Sequence, residues 1–417
     1  MPASGGNSYT ADNLIILDGH QGEHKHMRHQ RQSLAGSSPR STRLTRRVLT
    51  AATVLSIGIL GTACGSDSVE DNTELGSSSS SSGGVADATA AVSKATVVPA
   101  SIAVTEPITS PIPTGKRIAY VSCGVPACNA QAEIATEAGA VLGWQVTTIQ
   151  ATSAPADIQA AMQQVVRDGY DGVMYAGFAQ ESFRRELAEL QAKNVPVVAV
   201  STDDKVGDGI TAIVRPSSDG VASGTLGAQY IIADSDGKAN IGLINLPAYK
   251  SVGILTDAFK GTVETQCPDC SYSQEDFPNT VFSKGDGPAR IVAFLRANPK
   301  IDWLFLSNDA LAVGLPAALK SAGLADKVQI GGAIGGTTNL AMIKEGQQAF
   351  TVPTPLVDVV WQQTDAMARA FANQPVEQSM KPTPLIVWNQ KTIPADISSF
   401  PPAVPTVRED FTTLWGK

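Results

Sequence analysis

The sequence is poor in histidine, and the few histidines are confined to one end. All four lie within the first 29 residues of the 417-residue chain. A catalytic His base, a Ser–His or Cys–His nucleophile pair and a His-containing metal site are therefore excluded from the rest of the protein. The chain also has no Gly-x-Ser-x-Gly elbow and no paired-carboxylate motif. We therefore predict that it is not an enzyme and that it uses no cofactor.

Positive charge is also scarce outside the N-terminal segment. Residues 1–63 carry seven Lys and Arg against three acidic residues, whereas the remainder carries 24 against 36, a net charge of −12. Such a body lacks the basic surface that nucleic-acid binders use. We therefore expect no nucleic-acid partner.

Residues 1–63 have the features of a leader followed by an export signal. A basic cluster at Arg43, Arg46 and Arg47 precedes an uncharged run of 13 residues, 48–60. That length suits a signal-peptide core and is short for a membrane-spanning helix. Met27 is an alternative start to Met1, because residues 1–26 resemble neither a signal nor a fold.

The export signal ends in a short motif, Gly-Thr-Ala-Cys at 61–64, that resembles the lipobox of bacterial lipoproteins. The lipobox prefers Leu where Gly61 stands. The resemblance implies that Cys64 is lipidated on sulfur and anchors an extracytoplasmic protein to the outer face of the cell membrane. Simple secretion is the alternative.

The other four cysteines form two local pairs, Cys123 with Cys128 and Cys267 with Cys270. In an exported protein such pairs favour disulfides. A redox motif and a zinc site are the alternatives. However, a redox motif normally opens a helix after a strand, and a zinc site would require the two pairs to meet in space.

Residues 64–113 are rich in Gly, Ser, Ala and Pro. This composition is typical of a flexible tether, so we predict a linker without a core of its own between the lipidated cysteine and the folded body.

From Gly115 onward, short apolar runs such as GVMYA at 172–176 and VPVVAV at 195–200 alternate with longer segments of helical period. Continuous apolar runs indicate strands that are buried on both faces of a parallel sheet. Strand–helix alternation over about 270 residues predicts an α/β fold with doubly wound parallel sheets. A chain with about ten such strands favours two lobes over one sheet.

The order and spacing of these segments resemble the type I periplasmic binding proteins, in the ribose/galactose-like branch of solute-binding proteins of ABC importers. The resemblance rests on KRIAYVS at 116–122, QQVVRDGYDGV at 163–173, NVPVVAV at 194–200, NIGL at 240–243 and WLFLSNDALAVG at 303–314. It implies two lobes joined by a three-crossover hinge. The implied divisions are lobe 1 at 114–217 and 355–382, lobe 2 at 218–354 and 383–392, and a C-terminal tail at 393–417.

Ligands of such folds bind at the carboxyl ends of the strands. Those loops and the resemblance supply the candidate ligand-binding residues, among which only Phe282 and Asn308 match the family pattern clearly. Aromatic candidates are expected to stack on an apolar ring face, with a place in the core as the alternative. The candidates are Ser122, Gly124, Val125, Tyr175, Phe178, Ser201, Thr202, Asp203, Tyr249, Lys250, Phe282, Asn308, Ile334 and Thr354.

Several charged positions of the sugar binders are missing from this chain. Ser201 and Thr202 stand where the family has an Asp–Arg pair, and Ile334 stands in a loop where the family has an acid. Charge-assisted hydrogen bonds are the stronger ones, so their loss favours a small neutral ligand. A sugar or sugar-like compound is the leading hypothesis, and another small organic solute is the alternative.

The resemblance also implies a function and partners. We expect a monomeric receptor that hands its ligand to an ABC permease in the membrane. A ligand sensor of the same fold that signals to a membrane kinase or chemoreceptor is the alternative function.

Two further motifs carry weaker signals. The glycine-rich segment 331–338 has no Lys and does not match the phosphate-loop spacing, so we interpret it as a turn. The acids Asp203, Asp204 and Asp208 lack the EF-hand pattern, so we interpret them as a solvated loop and predict no metal.

Overall fold

The computed structural model describes residues 79–124, 126–152, 154–247, 250–278 and 280–417. The predicted leader, Cys64 and the site candidates Val125 and Tyr249 lie outside these residues.

The first described element is a helix, α1 (Ser79–Ala95), which precedes the first sheet. That sheet has five parallel strands in the order β2-β1-β3-β4-β5. Its strands are β1 (Arg117–Ser122), β2 (Gln145–Gln150), β3 (Gly172–Ala176), β4 (Val197–Val200) and β5 (Ala212–Val214). The helices between them are α2 (Pro126–Val141), α3 (Pro155–Asp168) and α4 (Arg184–Ala192). We call this part lobe 1.

Local sequence explains the elements of lobe 1. Every residue of β3 and β4 is buried, as expected for apolar runs covered by helices on both faces. In α3 the buried residues Ile158, Met162 and Val165 recur at helical spacing. The helix ends at Gly169, whose φ of 67° is the left-handed conformation that glycine adopts readily.

The second sheet has six strands in the order β11-β10-β9-β8-β6-β7, and only β11 is antiparallel to its neighbour. Its strands are β6 (Asn240–Asn245), β7 (Ser271–Asp276), β8 (Trp303–Leu306), β9 (Gln329–Ala333), β10 (Phe350–Val352) and β11 (Trp388–Asn389). The associated helices are α5 (Asp219–Asp234), α6 (Lys250–Gln266), α7 (Thr280–Lys284), α8 (Gly287–Ala297), α9 (Leu315–Ala322) and α10 (Thr337–Lys344). We call this part lobe 2. The predicted α/β fold of two mainly parallel sheets is confirmed.

Two more helices belong to lobe 1. Helix α11 (Leu356–Phe371) follows β10 and returns to pack against α2, β4 and β5, and it is buried over almost its whole length. Helix α12 (Val407–Leu414) near the C-terminus packs against α11. None of the helices that the structure describes is long and apolar enough to cross a membrane.

The prediction of a flexible linker over 64–113 is wrong for residues 79–113. Helix α1 packs on α5 and α6 of lobe 2, with Ala88 fully buried. Further on, Ile102, Val104 and Ile108 enter the core of lobe 1. The physical reason lies in the composition itself, because alanine is the best helix former and small residues permit close packing. A side chain at Gly84 would place its Cβ 2.0 Å from the carbonyl oxygen of Gln266.

The C-terminal tail also crosses between the lobes. Ile393 and Ile397 pack beside Trp388 in lobe 2, whereas Phe411 and Trp415 lie in the core of lobe 1. The rings of Trp361 and Trp415 stack with centroids 5.3 Å apart. Both terminal segments therefore link the lobes in addition to the crossovers after β5, β10 and α11.

Both local cysteine pairs are disulfides. Cys123–Cys128 joins the end of β1 to α2 in lobe 1, and Cys267–Cys270 joins α6 to β7 in lobe 2. Because the pairs lie in different lobes, they do not form a shared four-cysteine site.

Candidate binding cleft between the lobes

An ion pair joins the two lobes at the carboxyl ends of their strands. Asp203 lies in the loop after β4, and Lys250 is the first residue of α6 in lobe 2. Lys250 Nζ lies 2.6 Å from Asp203 Oδ2. The hydrogen bond to this carboxylate raises the pKa of Lys250. Two residues predicted from sequence are thus brought together, and the strand ends of the two lobes form facing walls of a cleft.

The wall of lobe 1 is built from loops that bind one another. Ser122 Oγ lies 2.8 Å from Asn129 Oδ1 and accepts from the amide of Gly124 at 3.4 Å. Thr202 Oγ1 lies 3.0 Å from the carbonyl oxygen of Phe178 and 2.6 Å from a carboxylate oxygen of Asp204. These hydroxyls fix the shape of the loops after β1, β3 and β4.

The predicted stacking of Tyr175 and Phe178 on a ligand is wrong. Tyr175 is fully buried and Phe178 is 4% exposed, and both belong to the core that also contains Phe183. The Tyr175 and Phe178 rings stack on each other with centroids 6.2 Å apart. The reason is topological: β3 is the central strand of its sheet, so helices cover both of its faces.

The wall of lobe 2 contains the remaining described candidates. Asn308 follows β8, and its side-chain oxygen accepts from the amide of Ala310 at 3.0 Å. Ile334 follows β9 with a φ of 60° and is partly buried. Thr354 lies after β10, where its carbonyl oxygen accepts from the amide of Leu356 at 2.8 Å. Phe282 on α7 is 40% exposed, so its ring is open to contact.

Asp309, next to Asn308, was not among the residues that the sequence singled out. It is completely buried, and no cation forms an ion pair with it among the described residues. Burial raises the pKa of Asp309 to about 8, although Thr351 and Gln348 lower it in part. A Cβ at Gly332 would lie 2.0 Å from Asp309 Oδ1. The glycine-rich segment 331–338, which begins within β9 and turns into α10, thus makes room for a buried carboxyl group.

Arg215, which directly follows β5, is a second buried ionisable residue that sequence reasoning missed. A single arginine in the sequence gives no indication of whether its side chain is buried.

The acidic loop after β4 has distinct partners for its members. Asp203 pairs with Lys250, whereas Asp204 accepts from the amide of Gln180 at 3.1 Å and lies beside Thr202. Within the described ranges, no group of three or more ligating side chains is placed to hold a metal ion.

A separate recess of 1010 Å³ opens on the outer side of lobe 2, at the amino ends of β9 and β10. Val313, Lys320 and Gln347 are among its lining residues. Ligands of open α/β sheets bind at the opposite, carboxyl ends of the strands, so we assign the candidate site to the cleft.

Comparison with known proteins identifies the family of the chain. The family model described as a periplasmic binding protein domain matches residues 125–375, which is more than half of the chain. Helix α1 and the C-terminal tail lie outside the matched residues. No curated protein matches the chain.

Solved structures show the same fold. An ABC transporter periplasmic solute-binding protein from Actinobacillus succinogenes with bound D-allose has a TM-score of 0.58 at 15% identity, covering 66% of this chain and 98% of that one. A periplasmic ribose ABC transporter protein from Conexibacter woesei has a TM-score of 0.58 at 19% identity, covering 68% and 95%. An arabinose-binding component from Shewanella sp. ANA-3, bound to L-arabinofuranose, has a TM-score of 0.58 at 17% identity, covering 72% and 97%.

Proposed function

We propose that this chain, which belongs to the family of periplasmic binding proteins, is the extracytoplasmic solute-binding receptor of an ABC import system. It closes its two lobes around a small neutral organic ligand, a sugar or sugar-like compound. The observation that carries the proposal is the Asp203–Lys250 ion pair, which joins the lobes where the strand ends face each other.

Closure couples binding to a shape that a membrane partner can recognise. A ligand that contacts both lobes only when they are closed shifts the population toward the closed state. Hinge closure of this kind is the usual motion of periplasmic binding proteins. The ABC permease then receives the ligand from the closed form.

We place the receptor on the outer face of the cell membrane, held by a lipid on Cys64 and acting as a monomer. The support is the lipobox-like motif and the segment between Cys64 and α1, which is rich in Gly and Ser. Mass spectrometry of the membrane fraction tests the anchor. A diacylglycerol mass on the peptide that begins at Cys64 is expected, and an unmodified peptide beginning elsewhere contradicts it.

Isothermal titration of the full chain, made under oxidising conditions, tests ligand binding. The probes are D-ribose, D-allose, L-arabinose and D-galactose, with glycine and citrate as unrelated small solutes. We expect saturable binding of at least one sugar with a single site per chain. A ligand at about 1,000 times its Kd adds roughly 4 kcal/mol to the unfolding free energy, so a thermal scan gives a second readout. Binding of none of the four sugars contradicts the proposed ligand class.

A further inference from the structure

Arg215 is a buried cation whose side chain is only partly engaged by the protein. It is 8% exposed. Its Nη2 donates to Ser223 Oγ at 3.3 Å, but its Nε has no hydrogen-bond partner among the described residues. The negative charge of Asp219 partly stabilises the Arg215 guanidinium, but the two side chains form no ion pair in the described structure.

The position of Arg215 is that of a site residue. It follows the carboxyl end of β5 and begins the first crossover from lobe 1 to lobe 2. Its carbonyl oxygen accepts from the amide of Ser201, a candidate binding residue of the neighbouring loop, at 3.0 Å. Its side chain reaches Ser223 on α5, which belongs to lobe 2. The residue therefore contacts both walls at the base of the cleft.

The backbone of Arg215 is also strained. Its φ is 48°, in the left-handed region that non-glycine residues adopt at a cost. Such conformations persist where the surrounding structure enforces them, and they concentrate at ligand-binding sites. Strain and an unpaired buried charge at one residue are two independent unfavourable features.

A buried ion without a partner destabilises a fold. Burial lowers the pKa of the Arg215 guanidinium, yet an arginine side chain stays protonated at neutral pH, so the charge remains. A stabilising role would require a paired guanidinium, as in Arg369, whose Nε lies 2.8 Å from Asp365 Oδ2. Arg215 instead presents an N–H donor for an acceptor that none of the described residues supplies.

We propose that Arg215 is a ligand-binding residue and that its Nε–H donates to a hydroxyl or ring oxygen of the bound neutral sugar. The inference rests on the proposed function. It also restores one charge-assisted contact to a cleft in which Ser201 and Thr202 replace charged residues. The ligand must therefore bring an electron-rich oxygen to the base of the cleft.

The first test needs no ligand. Arg215→Met and Arg369→Met each replace a buried arginine by an apolar chain of similar length in the full protein. We expect the melting temperature of Arg215→Met to equal or exceed that of the parent, whereas Arg369→Met lowers it by many degrees. A marked loss of melting temperature in Arg215→Met means that Arg215 is structural, and it overturns the proposal.

The second test measures affinity for D-ribose, D-allose, L-arabinose and D-galactose, and for the sugar acids D-gluconate and D-galacturonate. For any compound that binds the parent protein, Arg215→Met should weaken binding about ten- to a hundredfold, and Arg215→Lys should recover part of the loss. We expect weaker binding of D-galacturonate than of D-galactose. Tighter binding of D-galacturonate contradicts a neutral ligand and overturns the hydroxyl or ring oxygen as the acceptor.

The two proposals fail separately. Unchanged affinity in Arg215→Met overturns the role of Arg215 and leaves the receptor function standing. Binding of no compound by the parent protein contradicts the proposed ligand class, and the melting comparison still decides whether Arg215 is structural.

Discussion

Lobe 1 and lobe 2 each bury an aspartate completely, but the two carboxyl groups have different surroundings. Asp365 on α11 lies 2.8 Å from Arg369 Nε, 2.6 Å from Ser379 Oγ and 2.8 Å from Trp415 Nε1. Asp309, at the carboxyl end of β8, has neutral neighbours and no described ion pair. A buried carboxylate with all its hydrogen-bond partners stabilises one arrangement of the fold. A buried carboxyl group without a cation lowers the stability of the fold instead.

The paired network of lobe 1 explains why the C-terminal tail and the segment around Glu106 belong to the fold. Trp415 comes from the C-terminal tail, and Arg369 Nη2 also donates to the carbonyl oxygen of Glu106 in the N-terminal segment. Nearby, Asp358 accepts from the amides of Ala403 and Val404 at 2.8 and 2.9 Å. Helix α11 therefore holds the segment around Glu106 and the C-terminal tail on lobe 1, whereas Arg215 and Asp309 lie beside the strand ends and form no ion pair with any described residue.

Loss of the lobe 1 network should have the largest effect. Asp365→Ala leaves Arg369 buried without its carboxylate, and breaking a buried pair costs about 3–5 kcal/mol. Urea unfolding should show this loss. Asp257→Ala, an exposed control on α6, should change the unfolding free energy by less than about 0.5 kcal/mol. A loss below about 1 kcal/mol in Asp365→Ala contradicts a structural network.

Separating α1 from lobe 2 should have the next largest effect. Gly84→Leu drives a side chain into the backbone of Gln266, and overpacking of this kind costs about 1–3 kcal/mol. Gly83→Leu is the matched control, because no atom lies within 4 Å of a Cβ there. We expect limited proteolysis to cut within α1 faster in Gly84→Leu only. Equal rates in the two variants contradict docking of α1.

Asp309 should make stability depend on pH in the direction opposite to a paired acid. Its pKa is raised to about 8 in the folded state, so the folded protein holds a proton that the unfolded chain loses from about pH 4. The contribution is therefore most favourable below about pH 4 and is lost progressively as pH rises toward 8. Asp309→Asn has no titrating group at this position. The unfolding free energy of the parent should therefore fall more between pH 5 and pH 8 than that of Asp309→Asn, as measured by urea unfolding at both pH values. An equal change in unfolding free energy with pH in the parent and in Asp309→Asn contradicts a raised pKa of Asp309.

The exposed pair across the cleft should have the smallest effect on stability. Lys250 is 79% exposed, and exposed ion pairs contribute little. Lys250→Ala should leave the melting temperature nearly unchanged but weaken binding of a panel sugar by less than about tenfold, because the closed form loses one contact. Lys391→Ala, away from the cleft, serves as the control for loss of a surface charge. An equal affinity loss in both variants contradicts a role for the pair in closure.

The fold class was predictable because buried parallel strands leave continuous apolar runs in the sequence. Strand β7, with the sequence SYSQED, escaped detection because it is an edge strand with mostly exposed polar residues. The linker prediction failed because Ala- and Gly-rich segments suit both a tether and a closely packed helix. Composition alone does not show whether such a segment packs on another part of the protein, as α1 packs on α5 and α6.

The candidate site was predictable only in outline. Strand-end reasoning found Asp203 and Lys250, but their pairing depends on how the two lobes face each other. It misplaced Tyr175, since an aromatic residue near the end of a strand belongs to the core when the strand is central. It missed Arg215 and Asp309, because the burial of an ionisable side chain is a property of the tertiary structure.

Small-angle X-ray scattering of the full chain, with and without a panel sugar that binds in titration, tests the central claim most directly. The account predicts a smaller radius of gyration at saturating sugar, with the change reduced in Lys250→Ala. An identical scattering curve with and without a bound sugar would contradict closure of the two lobes around the ligand.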